Sequence, residues 1–169
     1  METGEKDGSE HSRILVTAAG LSLAAGIVHA LVVPEYLSEW WGYGFFFTLA
    51  ALAQITYGLV LFMRPWAYDE TGGSRSESGG YARVVYMAGA FANLAIIGLY
   101  IITRAVGIPF FGPAAGKVEP VTALSLTVTV IEAILAGILI AMARHEAPLS
   151  CGSKQLNKLF VFIIRTVIE

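Results

Sequence analysis

Four polar side chains stand inside otherwise apolar stretches of this chain: His29, Gln54, Asn93 and Glu132. In water they would pass without comment. In a bilayer, a carboxylate at the midplane costs roughly 3 kcal/mol or more unless it is protonated or paired. No Lys or Arg lies at the expected depth of Glu132, so the sequence predicts a neutral acid that donates a hydrogen bond to Gln54 or Asn93. The two amides have a plainer use of their own. Facing each other across packed spans, they would contribute on the order of 0.6 kcal/mol and fix register. Two readings of Glu132 stay open, a buried structural hydrogen bond and a proton or ligand site. Glu132, Asn93 and Gln54 are accordingly the candidate ligand or proton site.

A second group, His29 with Glu35, Glu39 and Glu119, is expected at the outer mouth. One imidazole among several carboxylates suits a hard or borderline divalent cation. None of these residues has the paired-histidine spacing of a zinc enzyme. The plainer reading is a hydrogen-bonded interfacial histidine beside solvated carboxylates. No other cofactor is expected, because the chain has no haem-ligating histidine pair, no Cys-x-x-Cys and no nucleotide motif. Gly112-Pro113-Ala114-Ala115-Gly116-Lys117 is one residue short of a phosphate loop and lacks its Ser or Thr. Cys151 is the one cysteine, which excludes an internal disulfide and reads as a free thiol beyond the last span.

The elements that must position these groups are four apolar runs near 14–33, 45–63, 84–103 and 121–142. A spanning helix needs roughly 20 residues at 1.5 Å rise, so the expected fold class is an all-α membrane protein. The expected architecture is a four-helix transmembrane bundle running up-down-up-down. Composition agrees, with 56% hydrophobic and only 14% charged residues and a mean hydropathy of +0.66. Residues 1–13 read as a solvated, disordered tail, too acidic for a signal peptide. Residues 69–80 read as a Gly/Ser-rich flexible loop. Residues 143–169 form a tail whose segment 156–168 suits an interfacial helix.

Lys and Arg set the orientation. The amino-terminal tail, the 64–83 connection and the carboxy-terminal tail carry nine, against two, Arg104 and Lys117, in the other connections. The positive-inside rule then puts both termini in the cytoplasm of a cell-membrane protein. With that topology Gln54, Asn93 and Glu132 fall near the bilayer midplane and His29 about one turn below the outer end of its span. Helical spacing gives each span one small-and-polar face: Ser22, Ala25 and His29; Gln54 and Gly58; Tyr86, Gly89, Asn93 and Tyr100; and Thr122, Ser125, Thr129, Glu132 and Ala136. A four-helix bundle can turn all four inward. Small pairs such as Gly26/Ala30 and Ala88/Ala92 would allow close helix contact.

His29-x4-Pro34-Glu35, then Glu39-Trp40-Trp41, Gly44-x-Phe46-Phe47 and Gln54, followed by Gly112-Pro113-x-x-Gly116-x-x-Glu119-Pro120 and Glu132, form a pattern over roughly residues 15–142. It resembles a family of uncharacterised small four-transmembrane-helix proteins of actinobacteria and haloarchaea. The resemblance implies the four-span architecture and no activity. The family pattern often has a second His after Pro-Glu, where this chain has Tyr36, and an Asp where it has Ser125. Both departures weaken a metal or proton-transfer site.

Two functional readings of different class follow. The first is a non-enzymatic accessory or small-ligand-binding bundle whose polar core mainly sets packing. The second is a membrane redox or transport component that uses Glu132 and His29 to handle protons or metal ions from the outer face, with four-span DoxX-type bundles as a fold-level analogy. The expected partners are the lipid bilayer and a membrane protein or a second copy. The small net charge of −2 argues against nucleic acid.

Overall fold

Among the described residues four helices follow one another, α1 (Thr3–Glu39), α2 (Trp41–Met63), α3 (Arg75–Ala105) and α4 (Ala123–His145), with one 3-10 turn at Pro65–Ala67. The computed structural model describes residues 3–67, 75–107 and 112–146. Each helix holds a stretch long and apolar enough to cross a membrane, with mean hydropathy between 1.9 and 2.3. Large apolar side chains such as Leu31, Leu52, Phe62, Phe91 and Ile101 point outward, as lipid-facing residues do and soluble bundles avoid. The chain is an all-α four-helix bundle and a multi-pass membrane protein.

The helices do not pack equally. α1 lies most extensively on α2, α3 on α4, and α1 on α4, while α2 and α3 barely meet along their backbones. The ring order is therefore α2–α1–α4–α3, two antiparallel hairpins docked through α1 and α4. Glycine makes the first hairpin tight. A methyl group at Gly26 would lie 3.1 Å from the Ala51 carbonyl oxygen, and one at Gly58 3.1 Å from that of Ala19. Without a hydrophobic driving force between spans, such close contact is what holds helices together. Between α2 and α3 side chains bridge instead. The Tyr57 hydroxyl donates to the Val85 carbonyl at 3.0 Å and lies across Gly89.

The end of the bundle where α1 begins and α4 ends is filled. Leu15, Leu61, Tyr86, Leu135 and Leu139 are fully buried there among alanines of α1, α3 and α4, and Trp66 meets Tyr86 edge-on at 5.8 Å. The opposite end, called here the mouth, carries the α1–α2 and α3–α4 connections. The first is a single extended residue, Trp40. So abrupt a corner leaves no room for side chains at Gly42 and Gly44, which press on Trp40 and Leu37. The second connection stops α3 at Gly107, where φ is 75° and the amide donates to the Ile102 carbonyl at 3.0 Å. It starts α4 with a reciprocal capping box between Thr122 and Ser125.

Several boundaries differ from the sequence expectation. α1 begins at Thr3, so the segment read as a solvated tail is helical from there. One anchor is Arg64, which donates to the Ser12 carbonyl at 3.1 Å and hydroxyl at 2.9 Å. α1 also runs through Pro34 to Glu39 instead of stopping near 33. Proline removes one backbone donor, which a membrane helix tolerates when neighbours satisfy the freed carbonyl. Of the flexible 69–80 loop, residues 75–80 belong to α3. Ala30, Ala88 and Ala92, expected at close helix contacts, are exposed, and only Gly26 of those pairs is buried. Cys151 and the 156–168 segment lie outside the described residues.

Candidate functional site

The polar faces read from the sequence do turn inward. His29 of α1, Gln54 of α2, Asn93 of α3 and Glu132 of α4 are 4%, 4%, 2% and 1% exposed. His29 Nε2 lies 2.9 Å from Glu132 Oε1, and Gln54 Nε2 donates to the same oxygen at 3.0 Å. Gln54 Nε2 also reaches Asn93 Oδ1 at 3.5 Å. Asn93 in turn donates to the Gly89 carbonyl at 2.8 Å, and the Ser22 hydroxyl donates to the Gln54 carbonyl at 2.7 Å. One carboxylate oxygen thus gathers donors from two other helices.

Depth explains the pairing. His29 stands ten residues before Glu39, the end of α1, and Glu132 nine residues after Ala123, the start of α4. At 1.5 Å per residue both lie ~14–15 Å below the mouth. Gln54 and Asn93 sit about one turn deeper. Gln54 is a partner of Glu132, as expected, but the bond runs the other way and His29 is a second partner. The carboxyl does not donate to an amide but accepts from Gln54 and shares a hydrogen bond with His29. The pair can hold its proton on the imidazole as a buried ion pair or on the carboxyl as a neutral pair. In hydrocarbon either form satisfies a group whose unpaired burial would be costly.

Above this polar layer the bundle opens into a cavity of about 760 Å³, bordered by all four helices and the 112–119 segment. His29 and Glu132 form its floor, and Thr129 and Ser125 of the polar face of α4 step up the wall from there toward the mouth. Valine, phenylalanine and tyrosine make its walls. Rings step upward from the floor. His29 lies 5.7 Å from Phe47, Phe47 stacks on Tyr36 at 4.2 Å, and Tyr36 meets Tyr43 edge-on at 6.5 Å.

Arg104 and Glu119 pair at 3.2 Å on the rim, with the guanidinium 4.4 Å from the Tyr100 ring centroid. Lys117 and Glu35 complete the rim. The 112–119 segment is pinned across the mouth. Its Ala114 amide donates to the Tyr43 hydroxyl at 3.3 Å, and the Glu119 amide donates to the Thr103 carbonyl at 3.2 Å. Glu119 and Glu35 thus line the rim, Glu39 is exposed at the end of α1, and His29 lies on the floor. Among the described residues no three His, Cys, Asp or Glu come together in a metal-holding group.

Sequence reasoning missed the contribution of Arg104, Lys117, Tyr36, Tyr43 and Tyr100. The two cations entered only as topology charges, Tyr36 only as a departure from the family pattern, and Tyr100 only as a member of the polar face of its span. Their shared position at one end of the bundle was the available signal. Comparison of the chain with family models, with curated proteins and with solved structures finds no match.

Proposed function

We propose that this chain is a small-molecule-binding protein of the cell membrane with both termini cytoplasmic, non-enzymatic, whose ligand occupies the cavity above His29 and Glu132. One observation carries the reading: a cavity of about 760 Å³ whose walls are apolar and whose floor is a buried, hydrogen-bonded His29–Glu132 pair. Ligand sites are commonly concave, mostly apolar, of roughly 300–1,000 Å³, with a few convergent polar groups. A structural hydrogen bond alone would not need open space above it. The plug of Leu15, Leu61, Tyr86, Leu135 and Leu139 at the far end supports a blind pocket over a conducting path. The excess of Lys and Arg, nine against two, supports an outward-facing mouth.

A second reading, proton handling in a redox or transport assembly, draws on the 2.9 Å His29–Glu132 contact. Both readings use the same floor and part on whether substitution there changes binding or turnover.

The test is purification in mild detergent, followed by native mass spectrometry, elemental analysis and an absorbance spectrum. The expected result is a stoichiometric small molecule in the wild-type protein that is lost from Thr129→Phe, a variant that fills the cavity. A bound molecule equally retained by Thr129→Phe would overturn the reading.

A further inference from the structure

We infer that the cavity takes the ring of a quinone-type molecule, a planar ring bearing carbonyl or hydroxyl oxygens, drawn from the bilayer through the seam between α2 and α3. The inference rests on the binding reading above and names the ligand class for that site.

The floor supplies the first argument. The hydrogen bond between His29 and Glu132 uses Nε2 and Oε1, and Gln54 also takes Oε1. This leaves His29 Nδ1 and Glu132 Oε2 without a partner among the described residues, on side chains that line the cavity. In the ion pair, or in a neutral pair whose carboxyl donates to Nε2, Nδ1 carries a hydrogen and donates to a carbonyl. In a neutral pair with hydrogens on Nε2 and Oε2, Nδ1 presents a lone pair and accepts from a hydroxyl. One floor therefore suits both the carbonyl and the hydroxyl form of the same ring. A plain acyl chain would leave these atoms unpaired. A sugar or nucleotide would need many more polar partners than the apolar walls offer.

The walls supply the second argument. The succession His29, Phe47, Tyr36 and Tyr43, with centroid separations of 5.7, 4.2 and 6.5 Å, is a continuous aromatic surface from floor to mouth. Flat rings stack on such a surface.

The route supplies the third. The axial mouth is crossed by the pinned 112–119 segment, held by Tyr43, Thr103 and Arg104. At the level of the cavity, Phe46 and Phe47 of α2 and Ile96 and Leu99 of α3 border the same space, and these are the two helices whose backbones barely meet. Tyr57 and Gln54 bridge them only at or below the floor. An apolar tail attached to the ring can leave through this seam and stay in lipid.

The experiment is a binding titration of the full chain in nanodiscs, read by calorimetry. The probes are a decyl-tailed ubiquinone analogue and the same benzoquinone ring without its tail. Wild type should bind the tailed probe saturably, one per chain, and about tenfold or more tighter than the tail-less ring. The paired substitution His29→Gln with Glu132→Gln keeps the floor filled with neutral amides and should weaken binding about tenfold, the loss expected when an ion-capable hydrogen-bonding pair is replaced. Thr129→Phe should abolish binding while its melting temperature shows that it folds. No saturable binding of either probe would overturn the ligand class, and a different molecule found in the protein as isolated would leave the binding reading standing. Binding insensitive to both sets of substitutions would place the probe in the lipid annulus and overturn the site. Equal affinity for the two probes would overturn the route through the seam.

Discussion

Removing the Glu132 carboxyl strips partners from two other helices at once, because His29 of α1 and Gln54 of α2 both bond to Oε1. Glu132→Ala should therefore cost roughly 3 kcal/mol in thermal unfolding in detergent, the range for leaving buried polar groups unpaired. Glu132→Gln keeps the shape and an acceptor and should cost about 1 kcal/mol. The combined change of His29→Leu and Glu132→Leu removes the pair without orphaning either member, so its cost should fall well below the sum of the two single changes. Additive costs in that cycle would mean that the pair is not coupled. Part of this site was legible in the residues. Counting 1.5 Å per residue brought Gln54, Asn93 and Glu132 to one depth, where the structure joins them. The His29–Glu132 bond was not legible for a specific reason. Ending the first span near Pro34 instead of at Glu39 moved His29 outward by ~9 Å, out of reach of Glu132 and into company with the mouth carboxylates.

The elements were readable where apolar length decides and unreadable where chain geometry decides. Four runs of about twenty apolar residues could become nothing but spans, and all four helices contain them. Nothing in composition says that α1 continues through Pro34, or that the corner to α2 is one residue long. Those follow from close packing at Gly42 and Gly44. The α3–α4 connection depends on a backbone need of the same kind. At Gly107, φ is 75°, and a methyl group there would lie 2.6 Å from the Lys117 carbonyl oxygen. Gly107→Ala should then cost roughly 2 kcal/mol, from the left-handed backbone and from pushing the 112–119 segment off the mouth. Gly20→Ala is the matched control. No atom lies within 4 Å of its added methyl, and that variant should melt at or above the wild-type temperature. A similar loss in both variants would separate Gly107 from any special role at the mouth.

For the molecule as a whole, the nine-to-two distribution of Lys and Arg predicts the direction of insertion. In intact cells, with Cys151 replaced by Ser, a cysteine at Ser38 should react with an impermeant maleimide, and one at Glu77 should be protected. The reverse pattern would put the cavity mouth in the cytoplasm. The ring order α2–α1–α4–α3 bears on how the chain assembles. Each hairpin is a complete insertion unit, yet the four buried polar groups are divided between them, His29 and Gln54 on one and Asn93 and Glu132 on the other. Every side-chain bond within the quartet crosses from one hairpin to the other. A lone hairpin in lipid therefore carries unmet hydrogen-bonding capacity, and only its complement relieves it. The quartet so acts as a recognition code between half-proteins. Two fragments divided within residues 68–74 and expressed together should copurify, and Glu132→Leu in the second should abolish their association.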